Sequence, residues 1–300
     1  MDVLVSILIP VYNREKIVSN AISCAVNQTY KSIEIIICDN CSTDNTWKIL
    51  CEWAAKDSRI KIFQNEKNLG PVLNWEKCIE KANGKYAKIL WSDDLIANTF
   101  IEHTLALFDD KTAFVLTGIC IFDSDTNLVL SESLYQNQIA YTMKGYLNDC
   151  LINNRKGFPV SPGCALFRTI DLKISFVIDI PNNQNIDHKY YGAGNDLLFF
   201  LITAIQYEQI KTVNHIESFF RSHTNSISIA NNNILPIYYE WARFYFINKY
   251  QPDLLPKYKT RLFLLRIRNN SYVNIYKLIK GRMDKQLLFY MIFHKLKRML

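Results

Sequence analysis

Four apolar runs of strand length alternate with three stretches of helical spacing in the first part of the chain, and that alternation dictates the fold. Val3 to Ile9 is a run apolar but for Ser6, of the kind buried on both faces in a parallel sheet. Glu15 to Asn27 follows with apolar residues at helical spacing: Ile17, Ala21, Ile22 and Ala25. Ile33 to Cys38 is a second strand, and Thr43 and Asp44 offer N-cap chemistry to a helix through Trp47, Leu50 and Trp53. Arg59 to Phe63 forms the third strand. Gly70 and Pro71 open a helix to about Ala82, which Asn83 and Gly84 end before a fourth strand, Tyr86 to Trp91. A βαβαβαβ series closes only as a parallel sheet with right-handed crossovers and helices on both faces.

Ligands of such sheets bind at the carboxyl ends of the strands. The polar residues collect there: Pro10, Tyr12 and Asn13 after the first strand, Asp39 and Asn40 after the second, Asn65 and Asn68 after the third, Asp93 and Asp94 after the fourth. Side chains from four strand ends on one rim make a nucleotide-sized crevice. Within it Asp39 can accept the ring N–H of a pyrimidine, Tyr12 can stack on the base or cover the ribose, and the backbone at Pro10 can meet the base edge. Asp93 suits a ribose hydroxyl. Adjacent carboxylates repel, so Asp94 suits a divalent cation that also bridges two phosphates.

Beyond Asn98 a helix from Phe100 to Phe108 precedes a hairpin, Ala113 to Phe122 and Leu128 to Leu130. Residues 134–163 read as loop with one helix, and Asn182 to Tyr191 as a polar loop ending at Gly192, Ala193 and Gly194. Asp196 then opens a strongly apolar helix. Two strands, Ile210 to Val213 and Glu217 to Phe220, lead into Arg221, Ser222 and His223, and from Leu235 the pattern is helical with breaks near Pro252 and Pro256.

The net charge of +7 belongs to the tail, where twelve Lys or Arg from Lys257 onward face one acid, Asp284. An apolar stretch from Leu287 to Phe293 flanked by Lys295, Lys297 and Arg298 suits a helix lying on an anionic membrane surface. No apolar run reaches the roughly eighteen residues of a membrane span, and the first residues show no secretory leader, so a cytoplasmic location is expected. Nucleic-acid binding is not expected, because a basic tail without a recognition motif is weak evidence for it. The eight cysteines have no paired spacing, and the lone Cys38-x-x-Cys41 lacks a second pair for zinc. They read as reduced thiols.

The successive segments Ser6-Ile7-Leu8-Ile9-Pro10-Val11-Tyr12-Asn13, Ile35 to Asp44 with Asp39-Asn40-Cys41-Ser42 at its centre, Asn68-Leu69-Gly70 and Ser92-Asp93-Asp94 resemble the ordered motifs of family 2 glycosyltransferases. The resemblance covers roughly residues 3 to 100. It implies the GT-A fold, a Rossmann-like, mostly parallel α/β sheet flanked by helices, here with a C-terminal helical appendage. The corresponding divisions are a transferase domain over 1–230, split into a nucleotide-binding half (1–98) and an acceptor-binding half (99–230), and a basic helical region over 231–300.

The same resemblance implies an inverting transfer of a sugar from a nucleoside-diphosphate donor, a UDP-sugar above other bases, with Mn2+ or Mg2+ held at Asp94. Asp196, at the helix start in Gly194-Asn195-Asp196, resembles the family's catalytic base, although Asn195 stands where an acid is usual. Arg221 and His223 resemble a late motif beside the diphosphate, with His223 a second contact for the metal. Pro159-Val160-Ser161-Pro162-Gly163-Cys164 sits where the family places a loop between donor and acceptor. The acceptor implied is a lipid-linked saccharide of bacterial surface polysaccharide, such as O-antigen or capsule, met by a peripheral enzyme at the inner membrane face. A sugar nucleotidyltransferase would need a glycine-rich phosphate loop after the first strand, which Pro10-Val11-Tyr12-Asn13 is not, and a Gly-x-Gly-x-x-Gly dinucleotide loop is missing too. A non-catalytic nucleotide-binding module is disfavoured because Asp94 and Asp196 are both kept.

Overall fold

The computed structural model describes residues 2–268, apart from 136–138, 154–156, 184, 224–225 and 232, together with residue 289. The tail read above as a membrane-surface helix therefore lies outside the described residues, Phe289 excepted. The strands are β1 (Val5–Val11), β2 (Ile33–Asp39), β3 (Ile60–Gln64), β4 (Tyr86–Ile89), β5 (Leu95–Ile96), β6 (Thr112–Asp123), β7 (Val129–Ser133), β8 (Ala140–Thr142), β9 (Ala165–Arg168) and β10 (Gln209–Ser222). The helices are α1 (Val18–Val26), α2 (Thr46–Ala54), α3 (Pro71–Lys81), α4 (Phe100–Leu105), α5 (Met143–Asn148), α6 (Thr169–Ser175), α7 (His188–Tyr191), α8 (Asn195–Ala204), α9 (Ile227–Ala230), α10 (Leu235–Tyr250) and α11 (Leu255–Arg268).

All strands join one sheet in the order β3-β2-β1-β4-β9-β6-β10-β5, with β7 on β6 and β8 on β10. The expected βαβαβαβ half is present and parallel: β1 pairs with β2 and β4, and β2 with β3. Every residue of β1, β2 and β4 is buried, which is why these strands are mostly apolar rather than alternating; the polar exceptions before the strand ends, Ser6, Glu34 and Lys88, are buried with hydrogen-bond partners. Gly84, between α3 and β4, is a packing requirement: a Cβ there would fall 2.7 Å from the Ser6 nitrogen.

The second half departs from the expected pattern in three places. β9 was not anticipated; it runs antiparallel between β4 and β6 and splices the two halves into one sheet. The two strands expected at 210–213 and 217–220 are one fourteen-residue strand, β10, with register shifts along its pairing to β6 that broke the apolar pattern. Pro252 does end the long helix region, but Pro256 sits in the first turn of α11, where a missing N–H costs nothing.

The helical region from residue 235 packs into the sheet's own core. Trp241, Ala242, Phe246 and Ile247 of α10 and Tyr258 and Leu262 of α11 share one apolar cluster with α8 and the sheet. One buried acid joins these two helices: Glu240 accepts from Arg243 (2.9 Å), from both terminal nitrogens of Arg261 (2.5 and 2.9 Å) and from the Tyr258 hydroxyl (2.8 Å). Burial opposes its charge, but Arg261 and Arg243 outweigh that and hold its pKa down to about 2. Such a cluster is costly to break from one side. Glu240→Ala is expected to lower unfolding free energy by about 3 kcal/mol in denaturant titration. Because the folded pKa is depressed, the Glu240 contribution is complete above about pH 4.5 and fades as pH falls toward 2. A loss below about 1 kcal/mol would show that apolar packing alone docks α11.

Candidate active site

A cavity of about 700 Å³ opens at the carboxyl ends of the parallel strands. Its walls include Pro10, Tyr12, Asn68, Asp93, Asp94, Asp196 and Arg221, so seven of the ten residues singled out from sequence face one space. Asp39, Asn13 and His223 are not in its walls. Asp39 is fully buried at the end of β2, where its carboxylate accepts from the Ser42 hydroxyl, the Ser42 backbone N–H (3.2 Å) and Gln64 (2.9 Å). Asn13, in a left-handed conformation (φ 50°), accepts from the Thr43 N–H at 2.8 Å. Asn13 therefore ties the β1 loop to the β2 loop, and Asp39 braces the β2 loop and the end of β3. Asn68 serves partly the same end, accepting from the Asn40 amide at 2.9 Å and from the Gly70 N–H at 2.8 Å.

The two acids after β4 are built into opposite environments. Asp93 meets His223 Nε2 at 3.1 Å and the Arg14 guanidinium at 3.4 Å. Burial opposes its charge, yet these two partners leave its carboxyl below the ordinary range. Asp94 is buried in the cavity wall, and its Oδ1 accepts from the Arg221 backbone N–H at 2.9 Å. Burial, and then the neighbouring charge of Asp93, push its pKa well up. Arg221 completes the link by donating from Nε to the Asp93 carbonyl at 2.9 Å.

Asp196, also in the cavity wall, stands in the first turn of α8. Gly192 and Gly194 shape the approach with φ of 70° and 94°, and any Cβ on Gly192 would overlap the Trp75 ring. Asp196 Oδ1 accepts from the backbone N–H groups of Gly194 (2.8 Å) and Leu197 (2.7 Å), and Oδ2 from the Tyr239 hydroxyl (2.7 Å). Burial raises its pKa to about 7 despite these donors. Asn195 is explained by its own contacts: its amide donates to the carbonyls of Val177 (2.7 Å) and Ile178 (2.9 Å), which a carboxylate cannot do.

The 159–164 segment also reaches the site. Val160 and Ser161 line the cavity, and Ser161 accepts from the indole N–H of Trp91 at 2.9 Å. Trp91 packs on Trp75 with ring centroids 4.9 Å apart, so it belongs to the cavity wall. Three contributors escaped the sequence reading. Arg14 follows directly after Asn13 but carried no motif signal. Lys88 is fully buried inside β4, donates to the Gly163 carbonyl and lies 4.3 Å above the Phe100 ring. Burial lowers its pKa to about 7, against the pull of Cys164 and Asp94. A charged residue inside an apolar strand was its visible sign. Tyr239 had none, since helical spacing alone does not say which α10 residue meets α8.

These features describe a cavity at the strand ends that is lined by two adjacent acids, an arginine and a further buried carboxylate. The glycosyl transferase family 2 profile matches residues 6–174, and the chain belongs to that family. An Escherichia coli UDP-Glc:alpha-D-GlcNAc-diphosphoundecaprenol beta-1,3-glucosyltransferase, WfaP, is 38% identical over 226 residues, covering 75% of this chain and 80% of WfaP. A Haemophilus influenzae uncharacterized glycosyltransferase is 41% identical over 102 residues, 34% of this chain, and the match spans about two-fifths (41%) of that relative's length. The crystal structure of Staphylococcus aureus TarS 1-349 in complex with UDP-GlcNAc shares the fold, with a TM-score of 0.66 at 19% identity over 89% of this chain and 74% of that one. The expected GT-A-like α/β architecture is therefore the observed one, but the sheet is mixed rather than mostly parallel, with four parallel and five antiparallel pairings among the described strands. The reason is that the second half adds its strands antiparallel except for β10 on β6.

The raised pKa of Asp196 has a stability consequence. A carboxyl that binds its proton more tightly when folded adds stability below about pH 4, and that gain is lost as pH rises through about 7. Asp196→Asn, whose single carbonyl oxygen can still accept from the two backbone N–H groups while its NH2 donates to the Tyr239 hydroxyl oxygen, is expected to raise the melting temperature at pH 8 and to change it little at pH 5. An equal change at both pH values would contradict the buried-acid assignment.

Proposed function

We propose that this chain transfers a sugar, with inversion, from a nucleoside-diphosphate donor to a hydroxyl of a lipid-linked saccharide acceptor in surface-polysaccharide synthesis. The observation that carries the proposal is the presence, in the wall of one cavity, of the Asp93–Asp94–Arg221 cluster and of the buried Asp196, whose pKa is raised to about 7. A UDP-sugar is the favoured donor, in keeping with the UDP-glucose and UDP-GlcNAc named for WfaP and TarS. The diphosphoundecaprenol acceptor named for WfaP supports a lipid-linked acceptor here, and the basic C-terminal region supports a position on the inner membrane surface. Among the described residues no helix is long and apolar enough to cross a membrane. We assign residues 1–98 to the nucleotide, 99–230 to the acceptor, and Tyr239 of the 231–300 region to the support of Asp196.

Tyr12 and Pro10 border the base and ribose end, with Asp39 and Asn13 fixing the loops that present them. Asp93, anchored by Arg14 and His223, faces the ribose hydroxyls or donor sugar. Arg221 supplies positive charge toward the diphosphate, and His223 holds Asp93 beside it. The donor set at Asp94 fits a hard divalent ion such as Mn2+ or Mg2+: it is an oxygen ligand whose charge is opposed by burial and by Asp93, and a cation relieves both. Bound there, the ion would supply electrostatic stabilisation of the departing diphosphate. Asp196 takes the proton from the acceptor hydroxyl as its oxygen attacks the anomeric carbon from the face opposite the leaving group. Attack from that face inverts the anomeric centre. A base with a pKa near 7 is matched to that work, and the Tyr239 hydroxyl holds its second oxygen in place.

The test is a panel of nucleotide sugars assayed for binding and transfer with manganese or magnesium. Asp94→Ala is expected to lose at least about 100-fold in metal-dependent turnover, a loss of several kcal/mol of electrostatic stabilisation. Asp196→Asn is expected to keep donor binding while transfer falls by about 100-fold or more. For the parent enzyme kcat/KM should rise with pH and level off above about 7, because the base works only when unprotonated. Donor binding that ignores metal, or full transfer by Asp196→Asn, would overturn the proposal.

A further inference from the structure

A second group of metal-ligating side chains lies away from the cavity walls, where α4 packs on β10. His103 of α4 and His215 and Glu217 of β10 each offer one ligand atom, and the three atoms lie within 4.8 Å of one another. His103 Nδ1 is 2.5 Å from Glu217 Oε1, and the two imidazole rings are 5.6 Å apart. Glu217 is buried, with only 3% of its side chain exposed, and its one ion pair among the described residues is with His103. A buried carboxylate facing two imidazoles wants a cation between them.

The backbone shows that this spot is shaped. The pairing of β10 to β6 shifts register between Thr212 and Ile216 and again between Ile216 and Ser218, bracketing His215 and Glu217. Such bulges re-aim side chains. β6 makes room with Gly118, where a Cβ would fall 2.7 Å from the His215 carbonyl oxygen. Thr99 fixes the carboxylate by donating to Glu217 Oε2 at 2.9 Å, and the Glu217 carbonyl accepts from the Ala97 N–H at 2.9 Å. His103 is half-exposed and His215 exposed, so an ion has a route in from solvent.

We propose that His103, His215 and Glu217 form a site for a divalent transition-metal ion of the zinc class, separate from the cation at Asp94. Two imidazoles and one carboxylate are borderline-soft and hard donors that suit Zn2+, Co2+ or Ni2+, whereas Mg2+ demands oxygen ligands. Tetrahedral bonds of about 2.0 Å place ligand atoms about 3.3 Å apart, so the donors need only small side-chain adjustments to close on an ion. Thr99 plays the outer partner that orients a ligating carboxylate. Occupied, the site clamps α4 to β10, the strand that carries Arg221 into the diphosphate end of the cavity.

The experiment is titration of chelator-treated full-length protein with Co2+ alone and Zn2+ alone, followed by visible absorbance and by melting temperature. Expected are tetrahedral Co2+ bands between about 500 and 650 nm that Zn2+ abolishes, with a rise in melting temperature. His103→Ala and His215→Ala should each weaken binding by at least about tenfold, Thr99→Val should weaken it less, and Asp94→Ala should leave the Co2+ spectrum intact. His215 is exposed, so its variant is expected to fold, and its melting temperature without metal checks that. Binding no tighter than about 1 mM, affinity unchanged in both histidine variants, or a spectrum lost only in Asp94→Ala would each overturn the site. A His103–Glu217 ion pair alone would give no Co2+ bands.

Discussion

The hydrogen bonds between Arg221 and the two acids after β4 are the contacts on which the site depends. They join the end of β10 to the loop leaving β4, strands that lie in different halves of the sheet with β9 and β6 between them. Parallel strands deliver their carboxyl ends to one edge, but only a contact across that edge makes a cavity of them. The same carboxylate that accepts from the Arg221 backbone carries the proposed cation, so anything that moves β10 moves the metal end of the site with it.

The other side of the cavity rests on a different balance. Asp196 is buried in a helix whose residues are all buried, and the protein tolerates it with three hydrogen-bond donors. Three donors are fewer than would keep the carboxyl strongly ionised against that burial, and its pKa near 7 follows. Folding stability is given up at neutral pH to hold this acid buried, a trade that the proposed role of Asp196 as proton acceptor would account for. The role of α10 follows as well: it fills the core beside α8 and brings Tyr239 to the acid.

How far this was legible in the sequence varied with the physics behind each residue. The first half was readable because its central strands, buried on both faces, are mostly apolar, so Pro10, Tyr12, Asp93 and Asp94 stood out where those runs stop, with Asn68 in the loop after β3. The order of the second half was not. β9 is four residues long and antiparallel, and its Ala-Leu-Phe-Arg carries no alternation; the bulges in β10 hid a single strand behind two. Asp39 was correctly placed at a strand end, but its carboxylate turns inward to Ser42 and Gln64, a direction that spacing cannot show. Lys88, Arg14 and Tyr239 gain their parts from residues 75, 79 and 43 positions away, Gly163, Asp93 and Asp196.

The most direct measurement of the central claim is a crystal of the protein with UDP and Mn2+, read by anomalous scattering at the manganese edge. The account predicts an anomalous peak on the Asp94 carboxylate, bridged to both phosphates, with Arg221 beside the diphosphate and the Asp196 side open for the acceptor. Bound UDP with no manganese at Asp94, or with its diphosphate away from Arg221, would contradict it.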